Sequence, residues 1–412
     1  MSAATGTTPA IDIMDPALFD DPYPTYRLLR DEVPVYYDRK NALWVVSRYD
    51  DVVAVAKDAG LYCSGKGNRP VVLAPMSILT LDDPEHGRQR RLVSRGFTPR
   101  RVQALAERIQ AIAREVIAGV QARGNIDFVR EFAVHVPLIV IAELLGFDLE
   151  SRMKLYRWSD DMTAGEGRAL DDPRVMRAAM AFHEYVSYCR QLMEKRRADP
   201  RDDIISVLTA SADAGELGIQ RGLDHLVDND LLDDELIMFL VVLLVGGNET
   251  TRNAISGGLY AFSRFPEERA RLAANPQLID SAVEEILRFT SPAIAHSRTV
   301  TRDHDLHGER LREGDKILLL WQSANRDERV FAEPERFRID RDPNPHVAFG
   351  VATHFCLGAN LARLELRIVF QELFRALGDI RVPEDERPQR DAQTMFIAYE
   401  HMRAVFTPRP TP

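Results

Sequence analysis

Apolar positions along this chain recur mostly at helical spacing, and only short pieces read as strands. From Pro84 to about Ala210 the pattern is mostly helical. Residues 211–230 are rich in Gly and Asp and read as a connector. A long helix is then expected from about Asp233 to Phe265. Pro266 ends it, because the residue before a proline avoids the α region. At a rise of 1.5 Å per residue it would be about 50 Å long, enough to cross a whole domain. Its first part holds the longest apolar run, Leu236–Val245, which is too short to span a bilayer. Further helix is expected at Tyr26–Arg30, Asp50–Lys57, 275–289 and Leu357–Leu377, the last stopping near Gly378. Val33–Tyr37 and Trp44–Ser47, joined by the charged turn Asp38–Asn41, read as a hairpin. Short strands are expected within 294–320 and at the end of the chain. Residues 1–20 read as a loosely held tail, 60–80 as a long loop and 325–355 as irregular. No internal repeat is visible. The expectation is a single domain over 1–412, mainly α with a small β portion.

Composition narrows the function classes. The chain has 412 residues, 45% hydrophobic and 28% charged, ample for a large core. A net charge of −10 argues against bulk nucleic-acid binding. Cys63, Cys189 and Cys356 form no CxxC pair, so neither a disulfide framework nor zinc is suggested. Met1–Asp15 lacks a basic region followed by an apolar one. No leader or membrane anchor is expected, and the location expected is cytoplasmic.

The chemistry concentrates in a few short runs. Phe349-Gly350-Val351-Ala352-Thr353-His354-Phe355-Cys356-Leu357-Gly358 places a thiol at the mouth of a helix. A helix N-terminus favours thiolate over thiol, and a bound cation favours it further. Gly246-Gly247-Asn248-Glu249-Thr250-Thr251 interrupts the long helix with adjacent glycines, each costing roughly 1 kcal/mol relative to Ala. Thr250 can bond back to the turn of Gly246 and bend the helix. His86 and Arg90 are i and i+4 on another helix, hence on one face.

The cysteine run resembles the ligand loop of the cytochrome P450 family, F-G-x-G-x-H-x-C-x-G. Ala352 departs from it where the second Gly is usual, and Ala tolerates a left-handed backbone poorly. Other motifs follow in the family's order. Gly246–Thr250 is similar to [A/G]-G-x-[D/E]-T, and His86–Arg90 to H-x-x-x-R. Glu285–Arg288 is similar to E-x-x-R, and Pro334–Phe337 to P-E-R-F. The resemblance covers about residues 82–377. It implies the cytochrome P450 fold, with one haem between the long central helix and the cysteine helix.

By resemblance, the cofactor is haem b with Cys356 as iron ligand. His86, Arg90, Arg298 and His354 would meet the propionates, and Gly246, Phe349 and Gly358 would complete the haem contacts. Glu249 would relay protons and Thr250 would hold the hydrogen-bond network around dioxygen. Glu285 and Arg288 would pair, with Arg336 joining them. The implied activity is a monooxygenase acting on a hydrophobic small molecule. Val71, Val72, Met76, Val242, Val245, Ile294 and Phe396 are the expected substrate contacts. The runs Glu249–Gly258 and Asp342–Gly350 look like those of bacterial members acting on steroids and branched lipids. A peroxide-driven hydroxylase and a non-catalytic haem or lipid carrier are the alternatives; the intact Glu249–Thr250 pair speaks against both. Electrons would come from a separate ferredoxin and ferredoxin reductase. Docking is expected on a basic face formed by Arg88, Arg91 and Arg95, extended by Arg363 and Arg367.

Overall fold

The helix expected at the centre of the chain runs Leu231–Arg264 in the computed structural model. The structure describes residues 10–70, 76–148, 151–165, 171–214, 231–391 and 395–410. Helices His135–Leu145, Pro173–Ala198, Ile279–Thr290 and Ala359–Ala376 all pack against this central helix. Two glycines let it approach its neighbours closely. A Cβ on Gly257 would come within 2.6 Å of Thr290 Cγ2, and one on Gly258 within 2.5 Å of Phe370 Cζ. The apolar faces of these helices merge into one large core that includes Phe132, Ile141, Leu244, Phe262, Ile286 and Phe370.

A smaller core sits against a five-stranded sheet. Its strands run in the spatial order Val35–Asp38, Leu43–Val46, Lys316–Leu320, Ala295–Val300 and Tyr62–Cys63. The expected hairpin forms the first pair, with Val35 opposite Val46 and Asp38 opposite Leu43. Leu43–Val46 then runs parallel to Lys316–Leu320. The latter is antiparallel to Ala295–Val300, with His296 opposite Leu319 and Arg298 opposite Ile317. This register aims residues 296 and 298 from one face of the sheet.

Three expectations change. Residues 10–20 are pinned and not loose: Ile13 is buried, its N–H donates to Asp38 Oδ2 at 2.9 Å, and the Tyr36 hydroxyl bonds both N–H and C=O of Ile11. The first helix starts earlier, at Tyr23, because Pro24 suits its opening turn. The loop 60–80 contains the strand Tyr62–Cys63 and a tight turn, Ser77–Thr80. Residues 71–75 and most of the 211–230 connector lie outside the described residues.

Candidate active site

One cavity gathers the motifs. It is lined by Gly246 and Thr250 from the central helix, and by His86 and Arg90 from the helix Glu85–Ser94. His296 and Arg298 reach it from the sheet, and Phe349, Gly350, His354, Cys356 and Gly358 from the cysteine loop.

The cysteine loop is shaped by its backbone. Gly350 takes φ 67°, and Ala352 takes φ 56° despite its side chain. For an L-residue that left-handed conformation costs roughly 1–2 kcal/mol. Ala352–His354 forms a 3-10 turn, and the Cys356 N–H closes the loop on Phe349 C=O at 2.8 Å. Burial pushes the Cys356 thiol up; the Gly358 N–H, Arg90 and Arg363 pull against it. A metal cation at the sulfur would reverse the balance and hold the thiolate. Arg363 lies over the Phe349 ring at 4.6 Å and pairs with Glu284 through two bonds of 2.7 and 2.8 Å.

The central helix runs through Gly246–Thr251 without the break expected there, and the two adjacent glycines have separate jobs. Gly246 opens on the cavity with nothing within 4 Å of its would-be Cβ, whereas Gly247 packs on Ile141. The Thr250 hydroxyl donates to Gly246 C=O at 2.7 Å, the back-bond expected from spacing. Glu249 turns away from the cavity. It is buried and ion-paired with Arg252, which also meets Asp160 at 3.3 Å. Burial pushes Glu249 up and Arg252 pulls against it. Ser159 Oγ and Asn248 Nδ2 each donate to Glu249 Oε1 at 3.3 Å.

A third group consists of positive or basic side chains, of which Arg298 and His86 are buried and Arg90 and His354 half-buried. Arg298 and Arg90 have no carboxylate partner among the described residues. Burial lowers Arg298 to about 10. Both His86 ring nitrogens are buried without a hydrogen bond; Asp83, at 3.7 Å, is too far for one. The His86 and His354 rings lie 4.4 Å apart. Burial, then the Arg298 charge, brings His354 down to about 3.

The family model for cytochrome P450 matches residues 30–401. The chain belongs to the cytochrome P450 family. It is 38% identical to a steroid C26-monooxygenase of Mycolicibacterium smegmatis, over 98% of this chain and 97% of that one. A steroid C26-monooxygenase of Mycobacterium tuberculosis is 39% identical over 93% of this chain and 94% of its own. CYP109E1 from Bacillus megaterium, solved with testosterone, superposes with a TM-score of 0.84 at 31% identity, covering 95% of this chain and 99% of that one. The P450 cofactor is a haem whose iron takes a cysteine thiolate, and the family is one of monooxygenases. The cavity fits that group: buried Arg298 and half-buried Arg90, neither held by a carboxylate among the described residues, complement two propionates, and Gly246 leaves room for a flat face.

All eight residues expected to contact the haem line this cavity. The substrate list divides. Val242 and Phe396 line the cavity, while Val245 and Ile294 are buried elsewhere and Met76 is outside its lining. Val71 and Val72 lie outside the described residues. Arg336 does not join Glu285. Arg288 holds Glu285 through bonds of 2.7 and 2.8 Å, and the further guanidinium is that of Arg341, at 3.0 and 3.2 Å. Arg336 gives Arg288 only its carbonyl oxygen, because its half-exposed side chain points to Glu333. Sequence reasoning also missed Trp321 and Glu365 in the lining. Buried and unpaired, the Glu365 carboxyl is pushed up to about 8.

The expected basic face is of mixed sign. Arg91 and Arg100 are exposed; Arg101 pairs with Asp202, Arg363 with Glu284, and Arg367 with Asp280 at 3.6 Å. Residues 99–103, 280–284 and 360–367 border one groove. No helix among the described residues is long and apolar enough to cross a membrane.

Proposed function

We propose that this P450 hydroxylates a steroid or a branched lipid, with Cys356 as the thiolate ligand and electrons from a ferredoxin and its reductase. The observation that carries the reading is convergence. Cys356, the cation group and the Gly246–Thr250 stretch reach one cavity whose remaining wall is mostly apolar, through Phe239, Val242, Leu243 and Phe396. An apolar wall with few polar groups suits a hydrophobic substrate. The steroid C26-monooxygenases among the relatives, and the testosterone complex of CYP109E1, favour the steroid class.

When bound, haem supplies dioxygen activation; the chain supplies position and protons. Arg90, Arg298, His86 and His354 are the groups that would hold the propionates. The Thr250 Oγ1 faces the cavity with its proton committed to Gly246, so its lone pairs are free to accept a hydrogen bond there. Glu249 adjoins Thr250 in sequence but is held away by Arg252. Its proton reaches the Thr250 side only when the carboxyl leaves that partner. Arg252 keeps Asp160, whose side chain is half exposed, so the network extends from solvent to the cavity's edge.

The docking surface for an acidic ferredoxin is the exposed stretch that carries Arg91 and Arg100, next in sequence to residues 99–103 of the groove beside the cysteine helix. Because Arg363 and Arg367 are already paired, the salt dependence should be moderate. The test is a ligand screen followed at the haem Soret band, with turnover compared between ferredoxin plus NAD(P)H and peroxide. Steroids should shift the band to shorter wavelength, and the ferredoxin system should give the faster product formation. Shifts with fatty acids alone would overturn the substrate class. Faster peroxide turnover would overturn the electron source.

A further inference from the structure

His296 leaves the strand Ala295–Val300 on the same face as Arg298, and both line the cavity. Trp321 follows directly on the neighbouring strand, and its indole Nε1–H donates to His296 Nδ1 at 2.8 Å. Indole is a donor only, so Nδ1 must keep its lone pair. The neutral imidazole therefore carries its proton on Nε2. No described residue accepts a hydrogen bond from that nitrogen, so the ring offers the cavity wall an N–H donor.

The surroundings of this donor select its acceptor. The charged and titratable groups facing it are Arg298 on its own strand, Arg69 in the preceding loop and His354 from the cysteine loop. Burial, then Arg298 and Arg69, push His296 down to about 3. Protonating Nδ1 would also break the indole bond. The acid that bears on Arg298 is Asp82, and it is already taken by the N–H groups of Ser64 and Gly65, at 2.7 and 2.9 Å. A donor set among cations, with no acid to spare, complements an anion rather than a neutral apolar substrate.

We propose that His296 is a further haem anchor. Its Nε2–H donates to the propionate that Arg298 pairs with, and Trp321 is a positioning residue that fixes the donating tautomer. The proposal rests on the haem reading above. A neutral donor adds a hydrogen bond without adding charge, so the anchor persists across the physiological pH range.

The test uses the holoenzyme with three measurements: haem transfer to excess apomyoglobin, reduction potential against pH, and the Soret shift on substrate binding. His296→Phe should lose haem roughly ten- to hundredfold faster, the effect of removing one hydrogen bond to a charged acceptor. His296→Gln, which keeps an N–H donor, should recover most of that loss. Trp321→Phe frees Nδ1. Its potential should gain a pH-dependent segment at acidic pH, below the ordinary histidine range, because burial, Arg298 and Arg69 still hold the ring down. The double variant Trp321→Phe with His296→Phe should lack that segment. Substrate affinity should be unchanged in His296→Phe. Unchanged haem transfer in that variant would overturn the proposal, as would weakened binding of ketone- or hydroxyl-bearing ligands with haem retention intact. Should Trp321→Phe fail to fold, the two His296 variants decide. A wild-type protein lacking the thiolate-type carbon monoxide band would instead overturn the haem reading itself.

Discussion

The loop Phe349–Gly358 and the central-helix stretch 246–252 border the same cavity, yet they hold their chemistry in opposite ways. The loop positions one sulfur with backbone alone: two left-handed residues, a 3-10 turn and the Cys356–Phe349 bond. The helix stretch relies on side chains. Thr250 bonds back to its own helix, and Glu249 is one corner of a buried network that ends at half-exposed Asp160. A backbone-built site has one geometry. A side-chain network can exchange partners, which proton delivery requires. The same contrast separates binding from turnover: damage to the loop should remove the cofactor's character, and damage to the helix stretch should spare it.

The largest effect should come from the loop. Cys356→Ser or Cys356→His is expected to abolish the thiolate-type carbon monoxide difference band and nearly all monooxygenation. Retention of that band in the serine variant would place the ligand elsewhere. On the central helix, Glu249→Gln should slow turnover on the order of a hundredfold, the range of a lost acid–base group, while the carbon monoxide band stays. Arg252 retains Asp160 in this variant, so the fold should persist. Wild-type turnover would remove Glu249 from the proton route. The smallest effect tests the loop's strain. Ala352→Gly should relieve the left-handed conformation and gain about 1 kcal/mol or less after the entropy cost of glycine. Thermal unfolding should move up by roughly 1–2 °C; a lower midpoint would show that the φ of 56° is not a strained one.

The two walls were unequally legible in the sequence. The cysteine loop is local: all its determinants fall within ten consecutive residues, and each of the motif residues except Ala352 lines the cavity. Gly246 and Thr250 were legible for the same reason, being one turn apart. Glu249's orientation was available from helical phase, since it stands about 100° from Thr250 around the axis. Contacts that depend on tertiary packing were not legible. Arg336 and Arg341 lie five apart in an irregular segment, where no periodicity says which guanidinium turns to Glu285. The His296–Trp321 bond requires the register of two strands. Arg363 and Arg367 looked available until the packing of two helices set Glu284 and Asp280, at the same i, i+4 spacing, against them. The mainly helical fold with a small sheet was readable from hydrophobic period. The ordered segment near Ile13 was not, because its anchors, Tyr36 and Asp38, come from the following hairpin.

The claim that the two walls do separable work is tested most directly in a single preparation of Thr250→Ala. The carbon monoxide difference spectrum and the substrate-induced Soret shift are recorded first. The ratio of product formed to NAD(P)H consumed is then measured with a ferredoxin and reductase. The account predicts a wild-type spectrum, a wild-type shift and a ratio reduced severalfold, with the missing electrons recovered as peroxide. An unchanged ratio, or loss of the thiolate band along with coupling, would contradict it.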